Sequence, residues 1–298
     1  MNKSKKIIFV VIMLLILTAI GVAIIAISIS MTKTNEEKEG NEEKFTIVTS
    51  FYPMYIATMN IVDGADVNLK NLSEPKTGCL HDYQLTTEDM KLLSTADVFV
   101  VNGGGMEEFL SDVVAKYPKL TVIDSSQGIE IEDDNAHVWM SIKNHIQQVE
   151  NITKGLCEAN PENASIYQEN SAKYIDKLNE ILNTEDDSLK GNNVMLFSEA
   201  YEYLADDFGL EIAGVLDLDE EKDISAGELA STIDIIKSKN VPLIIAEKEY
   251  GEKMANAVMK ETDAKTIYLN TIIRGDYDKD AYINGMKSNI ELLKGALK

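Results

Sequence analysis

From residue 45 onward, short β-branched runs alternate with amphipathic stretches of helical period, and this alternation is broken only once, near the middle of the chain. Runs at 45–49, 67–72, 97–102 and 120–124 read as strands, separated by helical stretches over 54–62, from Thr86, and over 106–117. Thr86 and Asp89 have the spacing of a capping box, which marks a helix start. Short apolar strands between helices predict parallel βαβ units. Two helical stretches then follow in succession, 141–158 and 161–182, and Pro161 suits the first turn of the second. In that helix Tyr167, Tyr174, Ile175, Leu178 and Ile181 share one face. A helix of about 22 residues spans about 33 Å, enough to run along a whole domain. After the polar break at 183–193 the alternation resumes, with strands at 194–197, 211–216, 242–247 and 265–270. Helices are predicted over 199–208, 226–238, 252–262 and 278–297. The predicted class is α/β: two parallel-sheet lobes, 45–158 and 189–298, joined by one long backbone helix within 159–188.

The N-terminus follows different rules. Lys3, Lys5 and Lys6 precede an almost unbroken aliphatic run from Ile7 to Ile29, long enough for the roughly 20 helical residues that cross a hydrocarbon core. Residues 1–30 therefore read as an N-terminal transmembrane helix that stays on the protein, a cleaved signal being the alternative. The run has no cysteine to carry lipid, and the lysines before it place the remainder outside a bacterial cell membrane as a single-pass protein. Residues 31–44 lack periodicity and read as a tether. A formal charge of −22 argues against nucleic-acid partners, and a monomer is expected.

The chemistry is concentrated in few residues. Of the three histidines, His81 follows the second predicted strand and His137 the fourth, where α/β lobes bind ligands. Neutral imidazole is a common ligand for transition metals. His145 reads as a surface or capping histidine, and Trp139 as packing behind His137. Gly103, Gly104 and Gly105 lack the spacing of a phosphate loop and read as a turn. The acidic positions Asp217, Asp219, Glu220, Glu221 and Asp223 read as a solvated hairpin or lid. The only cysteines, Cys79 and Cys157, are read three ways: a disulfide, two thiols, or Cys79 as a soft metal ligand beside His81. No nucleophile stands beside a histidine in a hydrolase motif, so an enzyme is not expected.

Five stretches now carry a resemblance: FTIVTSFYP at 45–53, HDYQLTTED at 81–89, HVW at 137–139, PENASIY at 161–167, and SEAY at 198–201 leading into FGL at 208–210. In order and combination the chain resembles the metal-binding solute-binding proteins of zinc- and manganese-type ABC transporters, over about 45–298. The resemblance implies two lobes bridged by a rigid helix, a zinc or manganese ion held by two ligands from each lobe, and an ABC permease as partner. His81 and His137 match the first-lobe pair. The second-lobe pair departs from the pattern. Ser198 stands where zinc-type members have histidine, with Glu199 one residue later, and Asn270 stands where members have aspartate. Substitute donors within reach of the resemblance are Cys79, Glu199 and Glu247. The expected function is thus metal capture between the lobes with a degenerate ligand set. The alternative is a paralogue that binds no metal and acts as an adhesin or accessory interaction module.

Overall fold

The structure, a computed structural model, describes residues 44–75, 80, 83–183, 187–218 and 224–298. The expected anchor, nearly all of the tether, Cys79, His81 and acidic positions 219–223 lie outside the described residues. No described helix is long and apolar enough to cross a membrane.

The first lobe runs β1 (Thr46–Thr49), α1 (Tyr52–Ile61), β2 (Asn68–Asn71), α2 (Thr87–Leu93), β3 (Val98–Val101), α3 (Leu110–Lys116) and β4 (Thr121–Asp124). Its sheet is parallel, in the order β2-β1-β3-β4. Burial follows that order. The central strands β1 and β3 are buried at every position, whereas edge strand β2 alternates between exposed and half-buried residues. Continuous apolar runs are what a strand covered on both faces requires. The predicted capping box opens α2: Thr86 Oγ1 accepts from the Asp89 N–H at 3.2 Å, and the Asp89 carboxylate accepts from the Thr86 N–H at 2.7 Å.

A short 3-10 turn, Val138–Met140, leads into α4 (Ile142–Ala159); a second at Pro161–Asn163 turns the chain into α5 (Ala164–Leu182). On α5, Tyr167, Tyr174, Leu178 and Ile181 are buried and Ile175 is half-buried, so the expected face is the packed one. The second lobe runs β5 (Asn193–Leu196), a 3-10 turn Glu199–Tyr201, α6 (Glu202–Asp207), β6 (Glu211–Val215), α7 (Ala226–Ser238), β7 (Leu243–Ala246), α8 (Lys248–Met259), β8 (Lys265–Tyr268) and α9 (Ala281–Ala296). Its sheet is again parallel, ordered β6-β5-β7-β8.

Two helix starts differ from expectation by four residues, more than any other. α8 begins at Lys248 and takes in Gly251, where a Cβ would lie 2.8 Å from the Ala246 side chain. α3 begins only at Leu110, since Glu107 is drawn inward to hold the preceding turn. The last helix has no strand to return to. It packs on α5 and reaches α1 of the first lobe.

The hydrophobic core is continuous through these helices. One cluster takes in Ile47 and Val98 of the first sheet, Leu156, Tyr174 and Leu178 of the linking helices, and Leu196 and Ile245 of the second sheet. A smaller cluster, including Met195, Ile236 and Val258, lies within the second lobe.

Candidate functional site

In parallel sheets the strands end on one rim, and here both rims carry the polar loops. His137 sits in the loop after β4, only 1% exposed, at the entry to the 138–140 turn. Its backbone N–H and its Nδ1 both face Asn135 Oδ1, at 3.0 and 2.9 Å. Glu199 of the second lobe brings Oε1 to 3.5 Å from the same Nδ1. Trp139 packs against the imidazole with ring centroids 5.2 Å apart, as expected, and stands edge-on to Phe51 at 5.1 Å. It does more than support the loop. Its Nε1–H donates to the Thr271 carbonyl at 2.9 Å, and its own carbonyl accepts from Tyr282 Oη at 2.7 Å, so the second lobe grips it at both ends.

The second-lobe positions are held by local bonds. Ser198 is fully buried at the end of β5, where its Oγ accepts from the Ala200 N–H at 3.1 Å and caps the 199–201 turn. Asn270 follows β8; its Oδ1 accepts from the Ile272 N–H at 2.7 Å, steadying a left-handed residue with φ 57°. Asn289 on α9 holds the Asn270 backbone from both sides. Glu247, after β7, pairs at 3.3 Å with Arg274, the only arginine in the sequence, which also pairs with Glu249. A carboxylate already turned to a guanidinium is a poorer substitute donor. Cys157 is a free thiol on α4, with Sγ 3.6 Å from the Ala164 carbonyl it donates to. Thus the structure brings Glu199 to His137 and turns Glu247 towards Arg274. Among the described residues, no three histidine, cysteine or acidic side chains form a group that could hold a metal ion.

His145 is corrected. It is fully buried rather than on the surface, with Nδ1 3.3 Å from Gln148 and Nε2 3.2 Å from Tyr174 Oη, and it stacks on Tyr282 at 3.8 Å. Burial pushes its pKa down to about 4, which keeps it neutral. The signal was available: Ile142, His145, Val149, Ile152 and Leu156 recur at helical spacing on the covered face of α4.

The triple glycine is the expected turn, with φ between 62° and 96°, and a Cβ on Gly103 would overlap the Asp124 carboxylate. Its clamp, however, was not read from sequence. The two oxygens of buried Glu107 accept from the N–H groups of Asn102 and Gly103 at 2.8 and 3.0 Å. Desolvation raises its pKa to about 7. Asn102 in turn donates to the Ala136 carbonyl at 2.9 Å, fixing the loop that carries His137.

Loop 132–137 is also bound to the second lobe directly. Tyr203 Oη donates to the Asn135 carbonyl at 2.8 Å and accepts from the Glu132 N–H at 3.0 Å. Asp207, buried at the end of α6, caps α4 across the lobes, accepting from Ser141 Oγ at 2.9 Å and from the Ile142 N–H at 2.6 Å. Burial raises its pKa, and those donors oppose the rise.

Two parallel-sheet lobes on a shared helical spine, with a buried imidazole at the strand ends facing the opposite lobe, are the build of a cleft-type solute-binding protein. The chain belongs to the ZnuA family, zinc-uptake complex component A, periplasmic, whose profile matches residues 47–296. It is 29% identical over 284 residues to the high-affinity zinc uptake system protein ZnuA of Bacillus subtilis, covering 86% of this chain and 88% of that one. Identity to the manganese-binding lipoprotein MntA of Halalkalibacterium halodurans is 27% over 231 residues, covering 73% and 77%. The solute-binding protein FpvC of Pseudomonas aeruginosa, solved with a nickel ion, superposes with a TM-score of 0.77 at 27% identity, covering 86% of this chain and 97% of that one. These are solute-binding proteins of metal transport and not enzymes, in agreement with the sequence reading.

Proposed function

We propose that the chain captures a transition-metal cation, zinc or manganese, between its lobes and delivers it to an ABC permease, held at the outer membrane face by the segment 7–29. The observation that carries this reading is the setting of His137. Metal-ligating imidazoles usually place the second ring nitrogen against a carbonyl or carboxylate, which fixes the ring and raises its basicity. His137 has both, Asn135 Oδ1 at 2.9 Å and Glu199 Oε1 at 3.5 Å. The cargo would be held by His81 and His137 from the first lobe. Ser198 and Asn270 offer only neutral oxygens, weak donors for either ion, so binding is looser than in a four-ligand cage. Glu199 approaches His137 on the Nδ1 side, which suits a supporting carboxylate better than a ligand on Nε2.

The test is calorimetric titration of the full-length, detergent-solubilised and metal-stripped protein with zinc and with manganese. Saturable heat that His137→Ala abolishes is expected. If neither ion binds, the metal reading falls and the interaction-module alternative takes its place. That second reading draws on the internal commitments of Ser198, Asn270 and Glu247.

A further inference from the structure

We propose that Asn135 is the residue through which the second lobe sets the tautomer of His137, so that Nε2 carries the lone pair offered to a cation. The consequence for cargo rests on the metal-capture reading, whereas the tautomer itself is a property of the metal-free protein.

Asn135 is 1% exposed, and its amide is engaged at both ends. The oxygen end is identified by a group that can only donate: the His137 backbone N–H, 3.0 Å from Oδ1. The nitrogen end is identified by a group that can only accept: the Glu199 carbonyl, 2.9 Å from Nδ2. The Glu202 carboxyl lies 2.8 Å from Nδ2 and adds a second, charge-assisted partner. The amide therefore cannot rotate end for end without opposing donor to donor and acceptor to acceptor. With Oδ1 fixed 2.9 Å from Nδ1, that nitrogen must carry a proton, and of the two neutral tautomers this selects the one with its lone pair on Nε2. Glu199 Oε1, 3.5 Å from Nδ1, favours the same tautomer.

The lobes share this device unequally. Asn135 and His137 belong to the loop after β4, whereas the partners of Nδ2 are the backbone of the 199–201 turn and the first side chain of α6. Tyr203 holds the Asn135 carbonyl from the same helix at 2.8 Å. The orientation of the ring is thus tied to contact between the lobes. Glu202 and Asn135 act through the imidazole and are positioning residues, not ligands.

The experiment reads the His137 tautomer from 15N shifts of labelled histidine in the full-length metal-free protein, the signal being assigned by its loss in His137→Gln. Wild type should show Nδ1–H. Asn135→Ala should show a mixture or Nε2–H, together with a zinc affinity lower by roughly 10–100-fold. An Asn135→Ala protein that keeps the pure Nδ1–H form overturns the proposal. Should that variant fail to fold, a swap decides. Asn135→Asp sets a carboxylate against Glu199 and Glu202, and adding Glu202→Gln supplies a donor to it. The double variant should recover part of the zinc affinity that Asn135→Asp loses, and equal affinities in the two would overturn the proposal. If wild type binds no zinc, the metal reading fails alone, and the tautomer comparison still judges Asn135.

Discussion

On the proposed metal-capture reading Ser198 offers only a neutral hydroxyl, fully buried at the carboxyl end of a central strand, one residue before the carboxylate that faces His137. Asn270 stands at the corresponding end of β8 with its oxygen bonded to the Ile272 N–H at 2.7 Å. Restoring stronger donors by Ser198→His with Asn270→Asp should tighten zinc binding by several orders of magnitude in competition titration against a chelator. A wild type that binds as tightly as the double variant would show that these are not the missing ligand positions. Away from the cleft, two buried groups act oppositely on stability. Glu107, raised to about 7, keeps its proton in the folded state from pH 4.5 to about 7 while the unfolded chain has lost it, so its contribution falls as pH rises through that window. His145, lowered to about 4, stays neutral when folded while the unfolded chain takes up a proton below 6.5, so its contribution rises with pH between about 4 and 6.5. The slopes largely cancel in the wild type. Glu107→Gln removes the falling limb. The melting temperature of the variant minus that of wild type should therefore increase from pH 5 to pH 8, equivalent to about 2–3 kcal/mol in full. A flat difference across that range would disprove the assignment.

At the scale of elements, helix ends join the lobes. The N-terminus of α4 is capped twice, by Ser141 accepting from the Asn144 N–H at 3.0 Å and by Asp207 reaching in from α6. The positive end of a helix dipole stabilises such a carboxylate, although burial still raises its pKa. Asp207→Ala should lower stability by about 1–2 kcal/mol in thermal or denaturant unfolding, the usual cost of losing an N-cap. A variant within error of wild type would mean that Ser141 alone satisfies the helix start. The capping box of α2, the positions of all eight described strands and the existence of α5 were legible in the sequence, because each depends on neighbours a few residues away. The start of α3 was not. It depends on Glu107 turning inward to two backbone N–H groups, and nothing in the local pattern distinguishes Glu107 from the adjacent Glu108.

At the scale of the molecule, one core runs from the first sheet through the linking helices into the second. Tyr52 Oη donates to the Asp276 carbonyl at 2.6 Å and the Gly275 N–H to the Pro75 carbonyl at 3.1 Å, so loops of the two lobes meet on this side as well. The helix α5 contains no glycine or proline to serve as a hinge. Small-angle scattering with and without zinc should accordingly give the same radius of gyration, and a clear contraction would contradict a rigid spine. Local pattern alone, short β-branched runs alternating with stretches of 3.6-residue period and marked by capping signals, pointed to the two parallel-sheet lobes, the long helix between them and the loop position of His137. Periodicity records which face of an element is covered, and it is blind to what covers it. Only the tertiary structure decided that Glu247 pairs with Arg274 and that Asn135 and Glu202, 67 residues apart, meet between the lobes behind His137. Each of these depends on a partner brought close by packing, at a sequence distance where no local pattern survives.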